Sequence, residues 1–290
     1  MGKLFIVATP IGNLSDISDR ALTTLKSVNL IAAEYTRRTL PLLNHFDIKT
    51  PIVSYHKHNE QEKSRELIAR IIQDNIDIAL VSDAGTPCIS DPGCTLVSKA
   101  RRHGIEIIAI PGASAITAAL SVCGFIFNQF SFLGFIPRVN KEKEDFYNTL
   151  LTSNIQTFVM YESPNRIIKS LEEISLMLPE CTVFVINDIS KYYEKSYFGA
   201  ISEIHQHLTT DQNARLGEYT IVLQKSRTSN ILVNEEKHVS IEALLVDEMV
   251  KSNCSLKEAI IKISNKNSNL NKNEVYKASL NLKNLFRGLL

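Results

Sequence analysis

The chain has 290 residues, 44% hydrophobic and 22% charged, with a formal net charge of +1. That length suits a globular protein of two or three domains. It excludes a membrane-spanning helix, because the longest apolar runs, such as Ile105 to Ile110, fall far short of the roughly 18 to 20 residues needed to cross a bilayer. The N-terminal stretch Met1 to Val7 begins like a leader, but Pro10 and Gly12 end it before a signal-peptide core forms, so a cytoplasmic protein is expected. The cysteines at 88, 94, 123, 181 and 254 lack the close pairs of zinc sites. They are read as reduced core or filler residues, with no disulfide framework and no metal.

Strand and helix signals alternate from the start, which predicts parallel βαβ units of an α/β protein. Leu4 to Ala8 reads as a buried strand stopped by Thr9-Pro10-Ile11-Gly12-Asn13. Ala21, Leu22 and Leu25 mark a helix face, Leu30 to Ala33 a second strand, Glu62 to Ile72 a helix and Ile76 to Val81 a third strand. Ser82 to Gly93 is the densest loop signal of the chain. A helix capped by Gly104 follows, then the strand Ile105 to Ile110, the turn Pro111-Gly112 and an alanine-rich helix from Ala113.

The pattern restarts near Gly124, which sets expected domains at 1–124 and 125–228. In the second, Phe130 to Phe135 and Ile155 to Tyr161 read as strands around a charged helix from Lys141. Ser163-Pro164 is read as a helix N-cap and first position, and Thr182 to Asn187 and Gly217 to Gln224 as further strands. Lys225 to Glu235 reads as a linker to a helical module over 236–290. Its first helix runs through Ile241, Leu244, Leu245 and Met249. The second opens with the capping box Ser255 to Glu258, and the third follows Asn271. Three such helices suggest a helix-turn-helix-like nucleic-acid reader. From residue 257 onward, seven cations (Lys257, Lys262, Lys266, Lys272, Lys277, Lys283, Arg287) stand against Glu258 and Glu274. This basic tail is either a phosphate-contacting surface or a solvated face.

Loops of glycine and proline after strands put backbone amides at the carboxyl edge of a sheet, where open α/β proteins bind ligands. None of the three here carries G-x-G-x-x-G or the phosphate loop, and each alone is an ordinary turn signal. Together, Val7-Ala8-Thr9-Pro10-Ile11-Gly12-Asn13-Leu14, Val81-Ser82-Asp83-Ala84-Gly85-Thr86-Pro87, Ile89-Ser90-Asp91-Pro92-Gly93 and Ile110-Pro111-Gly112-Ala113-Ser114-Ala115 closely resemble the tetrapyrrole methylase family. The likeness is strongest to its bacterial branch that acts on small-subunit ribosomal RNA. It continues through Phe132 to Arg138, Tyr161 to Arg166, Gly217-Glu218 and the helical tail.

The resemblance implies a two-domain tetrapyrrole-methylase-like α/β fold, a homodimer, and S-adenosylmethionine held between the domains. The reaction implied is 2′-O-methylation of a cytidine ribose in the decoding region of 16S ribosomal RNA, on the small subunit. Cofactor contacts carried over are Pro10, Asp83, Ala84, Gly85, Thr86, Ser114, Ala115 and Tyr161, with Asp83 accepting from the cofactor's amino group. The family's Ala-Glu-Asp-Thr-Arg reads Ala33-Glu34-Tyr35-Thr36-Arg37, and its Arg-Glu-Leu-Thr-Lys reads Asn187-Asp188-Ile189-Ser190-Lys191. No role is therefore carried over to positions 35 and 187.

A ribose hydroxyl is a weak acid, so a base beside it helps. Glu34 at the end of a predicted strand is the first candidate and Lys191 the second. A structural ion pair is the alternative for both. Tyr161 either walls the pocket or takes part in chemistry. Arg37, Arg38, Arg138 and Arg166 are candidates for RNA phosphates, with surface solubility as the plain alternative. His56, Lys57 and His58 lack a third metal partner, and Arg101-Arg102 suits a helix C-terminus. Two rival functions stay open: a sibling methylase with a tetrapyrrole or modified-histidine acceptor, and a non-catalytic ribosome-assembly factor.

Overall fold

The computed structural model describes residues 1–226, 240–266 and 272–287. Its contacts divide the chain into two compact units, Met1–Ser229 and Asn230–Leu290. No helix among the described residues is long and apolar enough to cross a membrane.

The first unit holds two five-stranded sheets. The first sheet is built from β1 (Leu4–Val7), β2 (Leu30–Ala33), β3 (Ile52–Ser54), β4 (Ile78–Val81) and β5 (Ile107–Ile110). Its order is β3-β2-β4-β1-β5 and every pairing is parallel. Continuous apolar strands are what such a sheet requires, because both faces are covered. Leu30 and Ala32 point to one core, where Leu67 and Ile71 of α3 (Glu60–Gln73) and Leu96 of α4 (Cys94–Arg102) pack. Ile31 and Ala33 point to the other, against Leu25 of α1 (Asp19–Ser27) and Leu43 of α2 (Thr36–His45). Each fully buried aliphatic side chain of this kind contributes about 1.5–3 kcal/mol. Gly104, at φ +67, closes α4 as expected, with Ile105 N donating to Ala100 O at 3.0 Å.

The last helix of this half, α5 (Ala115–Val122), lays Ile116, Ala119 and Leu120 on the second sheet, against Val159, Phe184 and Val222. That sheet comprises β6 (Phe130–Phe135), β7 (Thr157–Glu162), β8 (Thr182–Asn187), β9 (Lys195–Ala200) and β10 (Tyr219–Gln224), in the order β6-β7-β10-β8-β9. Only β6 and β7 are parallel; the other pairings are antiparallel. Helices α6 (Asn140–Thr152), α7 (Ile167–Met177) and α8 (Ile201–Thr210) cover its other face.

Among the described residues, α2, β3, β9 and α8 lie outside the elements expected from sequence. One expectation is corrected. Ser163 does not cap α7: its carbonyl accepts from both Arg166 N and Ile167 N, so a turn intervenes and the helix begins at Ile167. The cause is Glu162, whose carboxylate draws Ser163 N and Arg166 into a tight turn.

Among its described residues the second unit has three helices, α9 (Ile241–Ser252), α10 (Leu256–Lys266) and α11 (Lys272–Arg287), around Leu245, Ile263, Val275 and Leu282. The capping box at α10 is formed: Glu258 Oε2 accepts from Ser255 N at 2.8 Å, and Glu258 N donates to Ser255 Oγ at 3.4 Å. Most of the expected linker, and Asn271, fall outside the described residues.

Candidate active site

All four strand-end loops of the first sheet that carry expected site residues meet at its carboxyl edge. Thr9 and Gly85 exchange backbone hydrogen bonds of 2.9 and 3.0 Å, and Thr9 Oγ1 donates to Ser82 O at 3.2 Å. These bonds lock the loop after β1 to the loop after β4. Gly85 sits at φ +78, where a side chain is disfavoured, and its missing Cβ would lie 3.4 Å from Ile11 Cγ2. The loop after β5 approaches more closely still, a Cβ on Gly112 standing 3.0 Å from that of Ala8.

Opposite this edge lie the ends of β7, β8 and β10, and between the two sheets opens a cleft of about 530 Å³. Asp83, Ala84, Gly85, Thr86, Ser114, Ala115 and Tyr161 line it, as do Glu34, Arg38 and Lys191. The structure therefore brings together most of the residues singled out from sequence. Pro10 instead lines a smaller neighbouring pocket with Arg38, His45 and Asp83. Arg37 and Arg138 are exposed outside the cleft lining.

The cleft is rich in carboxylates. Asp83 already accepts from Tyr35 N at 3.2 Å and from Arg38 Nη1 at 3.0 Å, so it anchors the start of α2. Burial, and then the negative charge of Asp83, hold the Glu34 carboxyl above its usual range. Asp91, in the Ile89-Ser90-Asp91-Pro92-Gly93 motif but not among the expected site residues, also lines the cleft. Burial and then the charge of Glu34 push it up to about 7. Only the convergence of the loops after β2 and β4 sets these two acids together, and no local pattern announces it.

Tyr161 is pushed up to about 12 by burial and then by Asp91, and its ring packs on Phe132 and Phe135 with centroids 5.0 and 5.3 Å away. A protonated phenol in an aromatic cluster acts as a wall. For Lys191, burial opposes the charged form, but bonds of 2.7 Å to Asp188 Oδ1 and 2.8 Å to Glu218 Oε2 overcome it and raise the ammonium above its usual value. A base needs the opposite shift, so Lys191 serves as a fixed cation. Arg166 donates to buried Glu162 at 2.6 Å and to Ile136 O at 2.8 Å, which joins the ends of β6 and β7.

The residues fit a cationic nucleoside donor. Glu34, Asp83 and Asp91 complement a positive charge, the backbone of Gly85 can approach a ligand closely, and Tyr161 with Phe135 offers aromatic surface. The first amides of α5 have no side-chain cap at Ser114, which leaves donors for a carboxylate.

The model for tetrapyrrole (corrin/porphyrin) methylases matches residues 3–205. The chain is 42% identical over 223 residues to a ribosomal RNA small subunit methyltransferase I of Thermotoga maritima, covering 77% of this chain and 98% of that protein. It is 36% identical over 280 residues to the protein so named from Escherichia coli O157:H7, covering 96% and 95%. Among solved structures, a diphthine synthase aligns with a TM-score of 0.59 at 15% identity, covering 81% of this chain and 95% of that one. The Thermus thermophilus uroporphyrin-III C-methyltransferase complexed with S-adenosylhomocysteine aligns with a TM-score of 0.54 at 16% identity, covering 76% and 97%. The chain thus belongs to the tetrapyrrole methylase family of S-adenosylmethionine-dependent methyltransferases.

Proposed function

We propose that this enzyme methylates the 2′-hydroxyl of a cytidine in the decoding region of 16S ribosomal RNA, acting on the small subunit as a homodimer. The observation that carries this reading is the likeness to the Escherichia coli protein named for small-subunit ribosomal RNA, which covers 96% of the chain. The tetrapyrrole and diphthine enzymes match only 76–81% of it, at 15–16% identity.

When bound, S-adenosylmethionine supplies an electrophilic methyl group on a sulfonium. The chain's own residues orient, exclude water and manage one proton. Asp83 to Thr86, Ser114 and Ala115 hold the cofactor's polar groups, and Tyr161 bounds it from the second sheet. Glu34, with Asp91 beside it, takes the proton of the acceptor hydroxyl; burial gives both carboxyls more basicity than they have in water. Lys191, kept protonated by Asp188 and Glu218, fixes the facing loop. Arg37, Arg38 and Arg138, all exposed, offer cations to RNA phosphates, while Arg166 holds the strand ends.

The test is transfer of labelled methyl from S-adenosylmethionine to small ribosomal subunits, with the modified nucleotide mapped by its resistance to alkaline cleavage. Label in a tetrapyrrole or in a protein, with none in RNA, overturns the proposed acceptor.

A further inference from the structure

Cys88 and Cys94 meet across the loop after β4. Cys94 opens α4 and is exposed, and its thiol donates to the Cys88 carbonyl at 3.6 Å. The Cys88 thiol lies so close over Gly93 that a Cβ there would stand 2.6 Å from it. The backbone achieves this by folding back on itself, with Cys88 at φ +73, Ser90 at φ +66 and Gly93 at φ +142. Two non-glycine residues in the left-handed region within three positions are uncommon, and such strain concentrates at functional loops. Burial, and then Cys94, push the Cys88 thiol up to about 12, so it rests protonated. Neither sulfur lines the cleft, yet Ile89, Ser90 and Asp91 between them do.

We propose that Cys88 and Cys94 form a peroxide-responsive dithiol whose oxidation to a disulfide reshapes the cofactor cleft. Hydrogen peroxide oxidises the exposed Cys94 thiol to a sulfenic acid and is itself reduced, releasing one water. The Cys88 sulfur then attacks the Cys94 sulfur, the S–O bond breaks, and a second water leaves with the Cys88 proton. The balance is two thiols and one peroxide to one disulfide and two waters. A disulfide fixes both the separation and the dihedral angle of its ends, and the turn it closes carries Asp91. The inference rests on the cleft being the cofactor site, and binding by the reduced protein tests that separately.

The experiment treats the full chain with hydrogen peroxide, blocks remaining thiols by alkylation under denaturing conditions, and maps the tryptic peptides. The expected product is one peptide carrying Cys88 and Cys94, lighter by two hydrogens and unalkylated at both, and restored by dithiothreitol. Calorimetry on the same sample should give S-adenosylmethionine affinity weaker by about tenfold or more, the change that about 1.4 kcal/mol of lost contact produces. Cys94→Ser should bind as the reduced protein does and keep its affinity through peroxide. Sulfinic acid on Cys94 with Cys88 still alkylatable overturns the proposal, as does a disulfide that leaves affinity unchanged. Should Cys88→Ser fail to fold, the exposed Cys94→Ser variant still decides the matter.

Discussion

Gly12 stands against Lys191 so closely that a Cβ added to Gly12 would lie 2.5 Å from Lys191 Cγ and 3.0 Å from Ile189 O. The contact joins the loop after β1 to the loop after β8, and beside it the Ser190 hydroxyl donates to the Asp16 carboxylate. Glycine at position 12 is therefore a condition for the two walls of the cleft to approach. Gly12→Ala is expected to destabilise by about 1–3 kcal/mol, the usual cost of overpacking, and to weaken cofactor binding. Lys191→Ala in the same chain should recover only part of this, because the Ile189 carbonyl stays in place. Wild-type melting and affinity in Gly12→Ala would sink the idea.

Asp91 makes stability depend on pH with a definite sign. Its carboxyl, pushed up to about 7, lies above the ordinary aspartate value of 3.8, so the folded state keeps a proton that the unfolded chain releases. This contribution is present below the unfolded value and is lost as pH rises through the folded one. Asp91→Asn removes the penalty. Its melting temperature relative to wild type should climb between pH about 4 and about 7 and then level off. A gap that stays constant across that window would mean the carboxyl is not held protonated by its surroundings.

The same shift bears on catalysis. If Glu34 and Asp91 take the acceptor's proton, Glu34→Gln should lower kcat about 10²-fold and remove the rise of rate with pH, while Glu34→Asp keeps part of it. Lys191→Met is expected to leave the shape of the pH profile intact, since a lysine paired with Asp188 and Glu218 does not titrate there. A lost pH limb in the lysine variant, with a normal one in Glu34→Gln, would reverse the two assignments.

Sequence reading succeeded where signals are local. Apolar runs such as Leu30 to Ala33 became fully buried strands, and the turns around Gly85, at φ +78, and Gly112, whose Cβ would stand 3.0 Å from that of Ala8, meet at one sheet edge. It failed where the signal is diluted. Helix α2 carries Pro41 in its interior, β3 is only three residues long, and β9 runs at the sheet edge and mixes charged and aromatic residues with Gly199. Asp91 escaped for a different reason. Its character comes from Glu34, which the fold alone brings beside it.

Arg166 illustrates a residue whose role only packing discloses. Glu162 has no exposed side-chain surface, and its carboxylate takes Arg166 Nη2 at 2.6 Å and Ser170 Oγ at 2.6 Å. Truncating one partner of a buried pair typically costs about 3–5 kcal/mol, because the other charge is left uncompensated. Arg166→Ala should therefore melt early, and Glu162→Gln in the same chain should recover part of the loss. If instead Arg166→Ala melts as wild type but binds RNA weakly, its phosphate role is restored.

The helical unit supplies the last prediction. Its core of Leu245, Ile263, Val275 and Leu282 is its own, and the first unit closes its sheets within Met1–Ser229. A chain ending at residue 235 should thus fold and bind S-adenosylmethionine as the full chain does. From residue 257 onward the removed segment carries seven cations against two carboxylates. If these cations neutralise RNA phosphates, each lost contact lowers the slope of log affinity against log salt by about 0.7 to 0.9. Truncation is then expected to weaken RNA binding most at low salt and to flatten that slope, while calorimetry with the cofactor stays unchanged. Equal slopes for the two chains would remove this unit from RNA recognition and leave it a solvated appendage.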